Sequence, residues 1–327
     1  MAEAVRTRKG RDAAGDAGRT PGAPARAGGD PVPGGPGAVR ARVDAALARI
    51  LDREAAGLPA GAADVLRWAV LGPGKRLRPA LLLAAHRAAG GDPDAEAAVE
   101  LGCSVELVHA YSLVHDDLPC MDDDVLRRGR PTVHVKHGTP AAVLAGAVLM
   151  PIAATTVWRA ASDLGLDEGR ARRLLAALTQ AAGAGGMVGG QLADLRAEGR
   201  PVSRKELEGI HRRKTAALMS AAVRMGALAA RAPEEAVERL TRFGRTLGLA
   251  FQAVDDILDV TGQDAEMGKT SGRDAALGKA TYPSVLGLEE AGRVSRELAA
   301  RAREELGGIG GTSELEALVD AVVERRR

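Results

Sequence analysis

The 327-residue chain is 46% hydrophobic but holds only two Trp, two Tyr and two Phe. Its core must therefore be built from Ala, Leu and Val, a composition that favours helices over an all-β fold. Lys and Arg number 45 against 43 Asp and Glu, a net charge of +2, which excludes the large basic excess of a general nucleic-acid binder.

Residues 1–38 are Gly, Pro, Ala and Arg with almost no large apolar side chain. Such a segment cannot bury enough surface to offset its ordering entropy, and a disordered tail is expected, with residues 39–327 as one domain. The basic start lacks the apolar run of a secretory signal. Cys103 and Cys120 indicate neither a zinc site nor a disulfide framework, so a reducing cytoplasm is expected. From Val39 onward the pattern is helical: Val43, Leu47, Ile50 and Leu51 recur at helix spacing, as do Leu240, Phe243, Leu247 and Phe251. Breakers fall at Gly72-Pro73-Gly74, Gly90 to Pro93, Gly183 to Gly190 and Gly307 to Gly311. The run from Ala141 to Trp158 is long enough to span a bilayer. Its Ala and Gly content and Pro151 point instead to a buried central helix, with no membrane span. About ten helices and no sheet are expected.

Two aspartate clusters stand out. In Phe251 to Asp259, Asp255 and Asp259 are four apart and share a helix face, bordered by Asp256. Like charges this close repel, and a hard divalent cation would remove that cost. Taken alone, the triad reads equally as a solvated acidic face. The second cluster, Asp116, Asp117 and Asp122, includes Pro119, which should kink or bulge the helix and bring Asp122 back toward the pair. Arg127-Arg128-Gly129 follows at once, a cationic pair suited to phosphate oxygens. Acids and arginines in one short span suggest a metal-bridged diphosphate site.

At these residues the sequence resembles the trans-isoprenyl diphosphate synthases, most closely the bacterial farnesyl diphosphate synthases. The shared motifs run from about Val65 to Tyr282: Gly74-Lys-Arg-Leu-Arg-Pro79, His109, both aspartate clusters, Arg127 to Gly129, Gly190-Gln191-x-x-Asp194, Lys214-Thr215 and Phe251-Gln252. The resemblance implies an all-α bundle around a deep central cavity, working as a homodimer. It implies three Mg2+ ions held by Asp116, Asp117, Asp122, Asp255, Asp256 and Asp259. Arg127, Gln191, Asp194, Lys214, Thr215, Gln252, Lys269 and Lys279 resemble allylic-substrate residues. Lys75, Arg78, His109 and Arg128 resemble an isopentenyl diphosphate pocket. The implied reaction condenses the two diphosphates, with Asp116, Asp117, Asp122, Arg127, Lys214, Asp255, Asp256 and Lys269 carrying the chemistry. Tyr111, with Ser112 beside it, resembles the floor that stops the growing chain; helix rise puts it about 7.5 Å from Asp116 along the axis. An aromatic there resembles a C15 producer. The Leu-Pro-Cys-Met insert, shared with geranylgeranyl diphosphate synthases, leaves C20 open.

Plainer readings stand beside these. His109 is seven residues before Asp116 on much the same stripe, yet a lone core histidine would look alike. Gly268-Lys269-Thr270 is no phosphate loop, because Gln263 occupies the place of the required glycine. The glycines from 183 to 190 read as a helix kink, and Arg325 to Arg327 as a solvated end. Val125, Ala147 and Gln263 depart from the family pattern. A terpene cyclase would replace the second Asp-rich motif, and a non-catalytic partner subunit would lose metal aspartates; neither change is present.

Overall fold

The computed structural model describes residues 36–59, 61–262 and 278–324. The expected tail up to residue 35, Gln263, Lys269 with its neighbours, and Arg325 to Arg327 lie outside these. The helices are α1 (Pro36–Ala55), α2 (Ala62–Val70), α3 (Leu77–Ala88), α4 (Glu96–Asp116), α5 (Val133–His137), α6 (Thr139–Asp163), α7 (Glu168–Ala182), α8 (Met187–Ala197), α9 (Arg204–His211), α10 (Ala217–Ala229), α11 (Glu234–Thr261), α12 (Tyr282–Leu286), α13 (Leu288–Leu306) and α14 (Ser313–Val323). A π-helical turn, Arg212–Ala216, joins α9 to α10. In place of the expected absence of strands, β1 (Leu126–Arg127) and β2 (Arg130–Pro131) form one short antiparallel hairpin.

The central helix is α4. It is apolar on nearly every side, with Val99, Leu101, Val105, Leu107 and Val108 all buried, as a helix packed all round requires. It packs most extensively on α6, while α10 bridges α3 and α11, and α11 carries α13. The run from Ala141 to Trp158 does form a helix, α6, with Pro151 inside it. That helix is central on one face only. Its Ala145, Leu149, Ala153, Val157 and Ala160 face inward, while Val143, Leu144 and Trp158 are exposed. By length and composition α4 and α6 could each cross a membrane, with 67% and 44% of their most apolar windows buried in the bundle.

Small residues let helices approach closely around the π turn. A Cβ on Gly190 of α8 would lie 2.3 Å from the Lys214 amide nitrogen, and one on Gly248 of α11 would lie 2.5 Å from Ala216 Cα. The glycine-rich stretch before this is a break rather than a kink: α7 ends at Ala182 and α8 begins at Met187.

Candidate active site

The first acidic cluster forms where α4 stops. Pro119 cannot donate a helical hydrogen bond, and the helix ends at Asp116 instead of kinking through. The chain then folds back: Asp122 N donates to Asp116 O at 2.9 Å, and Asp124 N donates to Asp117 O at 3.2 Å. This turn returns Asp122 to the helix end. Burial pushes the Asp116 carboxyl up to about 6, partly offset by Lys214, with Asp122 adding to the rise. Burial acts the same way on Asp122, but Lys279, Lys214 and Arg127 outweigh it and hold that carboxyl below the usual range. Lys279 Nζ donates to Asp122 Oδ2 at 2.9 Å.

Asp117 points elsewhere. It is buried and accepts from Arg127 Nε at 2.9 Å and from Nη2, while Arg127 Nη2 also donates to Asp124 Oδ2 at 2.7 Å. Asp117 thus fixes an arginine. Asp124 was not anticipated as part of this arrangement.

In the second cluster Asp255 is exposed, Asp259 half-buried and Asp256 buried. Asp256 accepts from Gln252 Nε2 at 2.8 Å and from the backbone N–H of Tyr282 at 2.8 Å. Thr281 caps α12 through a reciprocal pair with Ser284, which aims that N–H. Thr215 Oγ1 donates to Gln252 Oε1 at 2.6 Å, and the adjacent Lys214 reaches Asp194 Oδ2 at 2.6 Å. The π turn, a device common at functional sites, therefore feeds Thr215 toward α11 and Lys214 toward α8. The electrostatic fields of Asp116 and Asp122 also act on Lys214. The His211 ring meets the Tyr282 ring at a tilt, with centroids 5.1 Å apart. Burial, with smaller opposed effects from Asp194 and Lys214, pushes it down to about 4, so at neutral pH its 3.8 Å approach to Asp256 is not an ion pair. Gln191 is buried, and its amide meets no protein partner among the described residues.

Cations gather on the other flank. Arg78, Arg128, Arg127 and Arg76 all act on His109, which burial first and then these charges hold well below its ordinary value. Arg128 Nη1 donates to Pro73 O at 2.6 Å. A cavity of about 60 Å3 lies here, lined by Trp68, His109, Asp117, Arg127 and Arg128 among others. Its frame was not anticipated. Arg76, held at φ +50°, donates to Glu106 at 2.9 Å, Asp44 at 2.7 Å, Val70 O at 3.1 Å and Gly72 O at 3.0 Å. Glu106 is the one acid in the apolar run Leu101 to Val114, the signal that could have found it. Tyr111 is half-buried one turn before His115, its ring edge-on to that imidazole at 4.8 Å, and Ser112 Oγ bonds His109 O at 2.9 Å.

Among the described residues no three His, Cys, Asp or Glu side chains converge into a ready-made metal cage. Magnesium typically takes one or two carboxylates and completes its shell with water and phosphate oxygens. Asp116, Asp122 and Asp255 fit that demand in their chemistry, while Asp117 and Asp256 also accept from Arg127 and from the Tyr282 N–H.

A helical bundle with hard-base carboxylates at one helix end and two groups of Lys and Arg beside them is of the class that handles diphosphate esters. The polyprenyl synthetase family model matches residues 62–309, and the chain belongs to that family. It is 45% identical over 275 residues to the farnesyl diphosphate synthase of Escherichia coli (strain K12), covering 81% of this chain and 89% of that one. It is 43% identical over 265 residues to a chloroplastic geranylgeranyl pyrophosphate synthase of Capsicum annuum, covering 80% and 71%. Helicobacter pylori geranyltransferase, solved in complex with magnesium and isoprenyl diphosphate, superposes with a TM-score of 0.77 at 30% identity, covering 88% of this chain and 97% of that one.

Proposed function

We propose that the chain is a prenyltransferase that condenses isopentenyl diphosphate head-to-tail with dimethylallyl or geranyl diphosphate, giving farnesyl diphosphate (C15) and diphosphate. The observation that carries this reading is the meeting of Asp116 and Asp122 with Lys214 and Lys279, beside a flank where Arg78, Arg127 and Arg128 surround His109. One flank suits a leaving diphosphate and the other a diphosphate that stays attached.

Asp116, Asp117, Asp122, Asp255, Asp256 and Asp259 are the side chains that would hold magnesium, three ions by the resemblance, with Asp117 and Asp256 also bonding Arg127 and the Tyr282 N–H. When bound, the metal neutralises charge on the departing diphosphate, worth several kcal/mol in such reactions. Lys214, Lys279, Arg127 and Lys269 are assigned to that same diphosphate; Lys269 lies outside the described residues. Arg127, fixed by Asp117 and Asp124, is pre-oriented for this duty. Thr215 and Gln252, bonded to each other, and Asp194, bonded to Lys214, hold that side in place, and Gln191, whose buried amide meets no protein partner among the described residues, is assigned to the substrate. Lys75, Arg78, His109 and Arg128 are assigned to isopentenyl diphosphate, with His109 neutral and donating one ring N–H. The allylic C–O bond breaks, the isopentenyl double bond attacks the resulting cation, and a proton leaves to the diphosphate just released. No side-chain nucleophile is needed.

Tyr111, on the same helix as Asp116 and within its field, is assigned as the floor for the growing chain, which supports C15 over C20. The exposed Val143, Leu144 and Trp158 on α6 support a homodimer formed across that face. The exposed Cys120 thiol suits a reducing cytoplasm. The helices from α1 onward act as one domain; α1 begins at Pro36, three residues before the boundary expected from the sequence.

Incubation with Mg2+, isopentenyl diphosphate and geranyl diphosphate, followed by chromatography of dephosphorylated products, tests the reading. Farnesol is expected. No released diphosphate would refute the enzyme assignment, and a C20 alcohol would refute the chain length.

A further inference from the structure

We propose that Trp68 is a positioning residue for the isopentenyl diphosphate pocket, acting by pinning the Leu126–Pro131 hairpin; this rests on the reading of the site given above. The hairpin has two residues per strand and turns through Arg128 (φ +54°) and Gly129 (φ +73°). Strands this short cannot hold themselves, and a non-glycine residue at positive φ is strained. The conformation persists only if the surroundings impose it.

Each of the three hairpin arginines has a different anchor. Arg127 goes inward to Asp117 and Asp124, and Arg128 crosses to Pro73 O. Arg130 goes outward, its guanidinium 3.8 Å above the centroid of the Trp68 ring. The Trp68 Nε1–H donates to Pro131 O at 3.0 Å. One indole thus holds two consecutive residues of β2 by two different interactions. Lys136 Nζ sits 3.2 Å from the same ring centroid, and the His137 ring meets it edge-on at 6.2 Å, which ties in α5. On its apolar side Trp68 packs against the cluster of Val114, Leu118, Val133 and Ala142. Val114 and Leu118 bracket Asp116 and Asp117 in the chain. Trp68 therefore references the hairpin to the end of α4, and it lines the same cavity as Arg128 and His109.

A half-buried tryptophan with a merely structural role would, when removed, lower stability and disturb both substrates alike. A positioning role acts on one. Trp68→Leu should raise KM for isopentenyl diphosphate about tenfold, the loss of a partly desolvated cation–π contact with its hydrogen bond. KM for geranyl diphosphate and kcat should stay within about twofold, below the size of one such contact, because Arg127 is held by its own bonds to Asp117 and Asp124. Trp68→Phe keeps a ring and loses the N–H, so its effect should be smaller. Arg130→Leu removes the contact from the hairpin side at a position that cannot unfold the core, and should act in the same direction. If Trp68→Leu fails to fold, Arg130→Leu and Trp68→Phe carry the test. Equal rises in both KM values, or an isopentenyl KM unchanged in Arg130→Leu and Trp68→Phe, overturn the proposal. Titration calorimetry with isopentenyl diphosphate separates the two readings. A wild type that neither binds nor condenses it removes the functional reading and this inference together; variants that bind as tightly as a binding wild type remove this inference alone.

Discussion

The Arg76–Glu106 pair offers the sharpest test of how the cationic flank is held. Both side chains are only 5% exposed, and Arg76 also satisfies two carbonyls of the turn, Val70 O and Gly72 O. Arg76→Met leaves the Glu106 carboxylate buried without its cation, a change that costs about 3–5 kcal/mol in comparable pairs. The backbone strain at φ +50° is not relieved, since Met is no better there than Arg. For a domain of this size about 2 °C is lost per kcal/mol, so melting by circular dichroism should fall by roughly 6–10 °C. The double variant Arg76→Met, Glu106→Leu removes both charges and should regain most of the loss, because well-packed apolar replacements of buried pairs are often neutral. It should not regain isopentenyl affinity, because Lys75 and Arg78 hang from the same turn. A drop below about 2 °C for the single variant, or a double variant no better than it, would refute the reasoning.

Tyr111→Ala should shift products beyond C15 in the chromatographic assay; unchanged chain length would remove Tyr111 as the floor. Asp116, raised in the fold to about 6 from 3.8, favours the folded state when protonated, an advantage complete below the unfolded value and lost as pH rises through about 6. Without metal, Asp116→Asn should therefore melt above wild type at pH 8 but not at pH 3.5, and equal melting at both would contradict that burial. Asp256→Ala should destabilise the protein by about 1–3 kcal/mol, since the Tyr282 N–H loses its acceptor; a thermal shift near zero would restore it to a purely metal-binding duty. Leu144→Glu should convert a dimer to a monomer in size-exclusion chromatography with light scattering, and an unchanged mass would clear α6 of that role.

The clustering of charged side chains was legible where chemistry and spacing coincided. Acids and arginines crowd one short span, and the structure does return Asp122 to Asp116 and set Arg127 on Asp117. The division of labour within each triad was not legible. The Asp117–Arg127 and Asp256–Tyr282 bonds join residues 10 and 26 apart, and helix periodicity carries no information about such pairs. The central role of α4 over α6 was also hidden. Both runs are apolar, and only packing decides that Val143 and Leu144 face outward. The effect assigned to Pro119 was right in outcome but different in form: the chain ends its helix and folds back, and a backbone bond from Asp122 to Asp116 makes the return.

The glycines flanking the π turn have a further consequence. Lys214 is mounted on main chain that touches main chain, with no layer of side chains to yield: even a methyl group at Gly190 would sit 2.6 Å from its Cα. Arg128, by contrast, rides on a four-point suspension of hairpin, carbonyl, aspartates and indole. Lys214 thus sits on a bench and Arg128 on a sprung arm. Under the proposed function, variation at Tyr111 and Ser112 aimed at new products would leave a fixed datum on the Lys214 side.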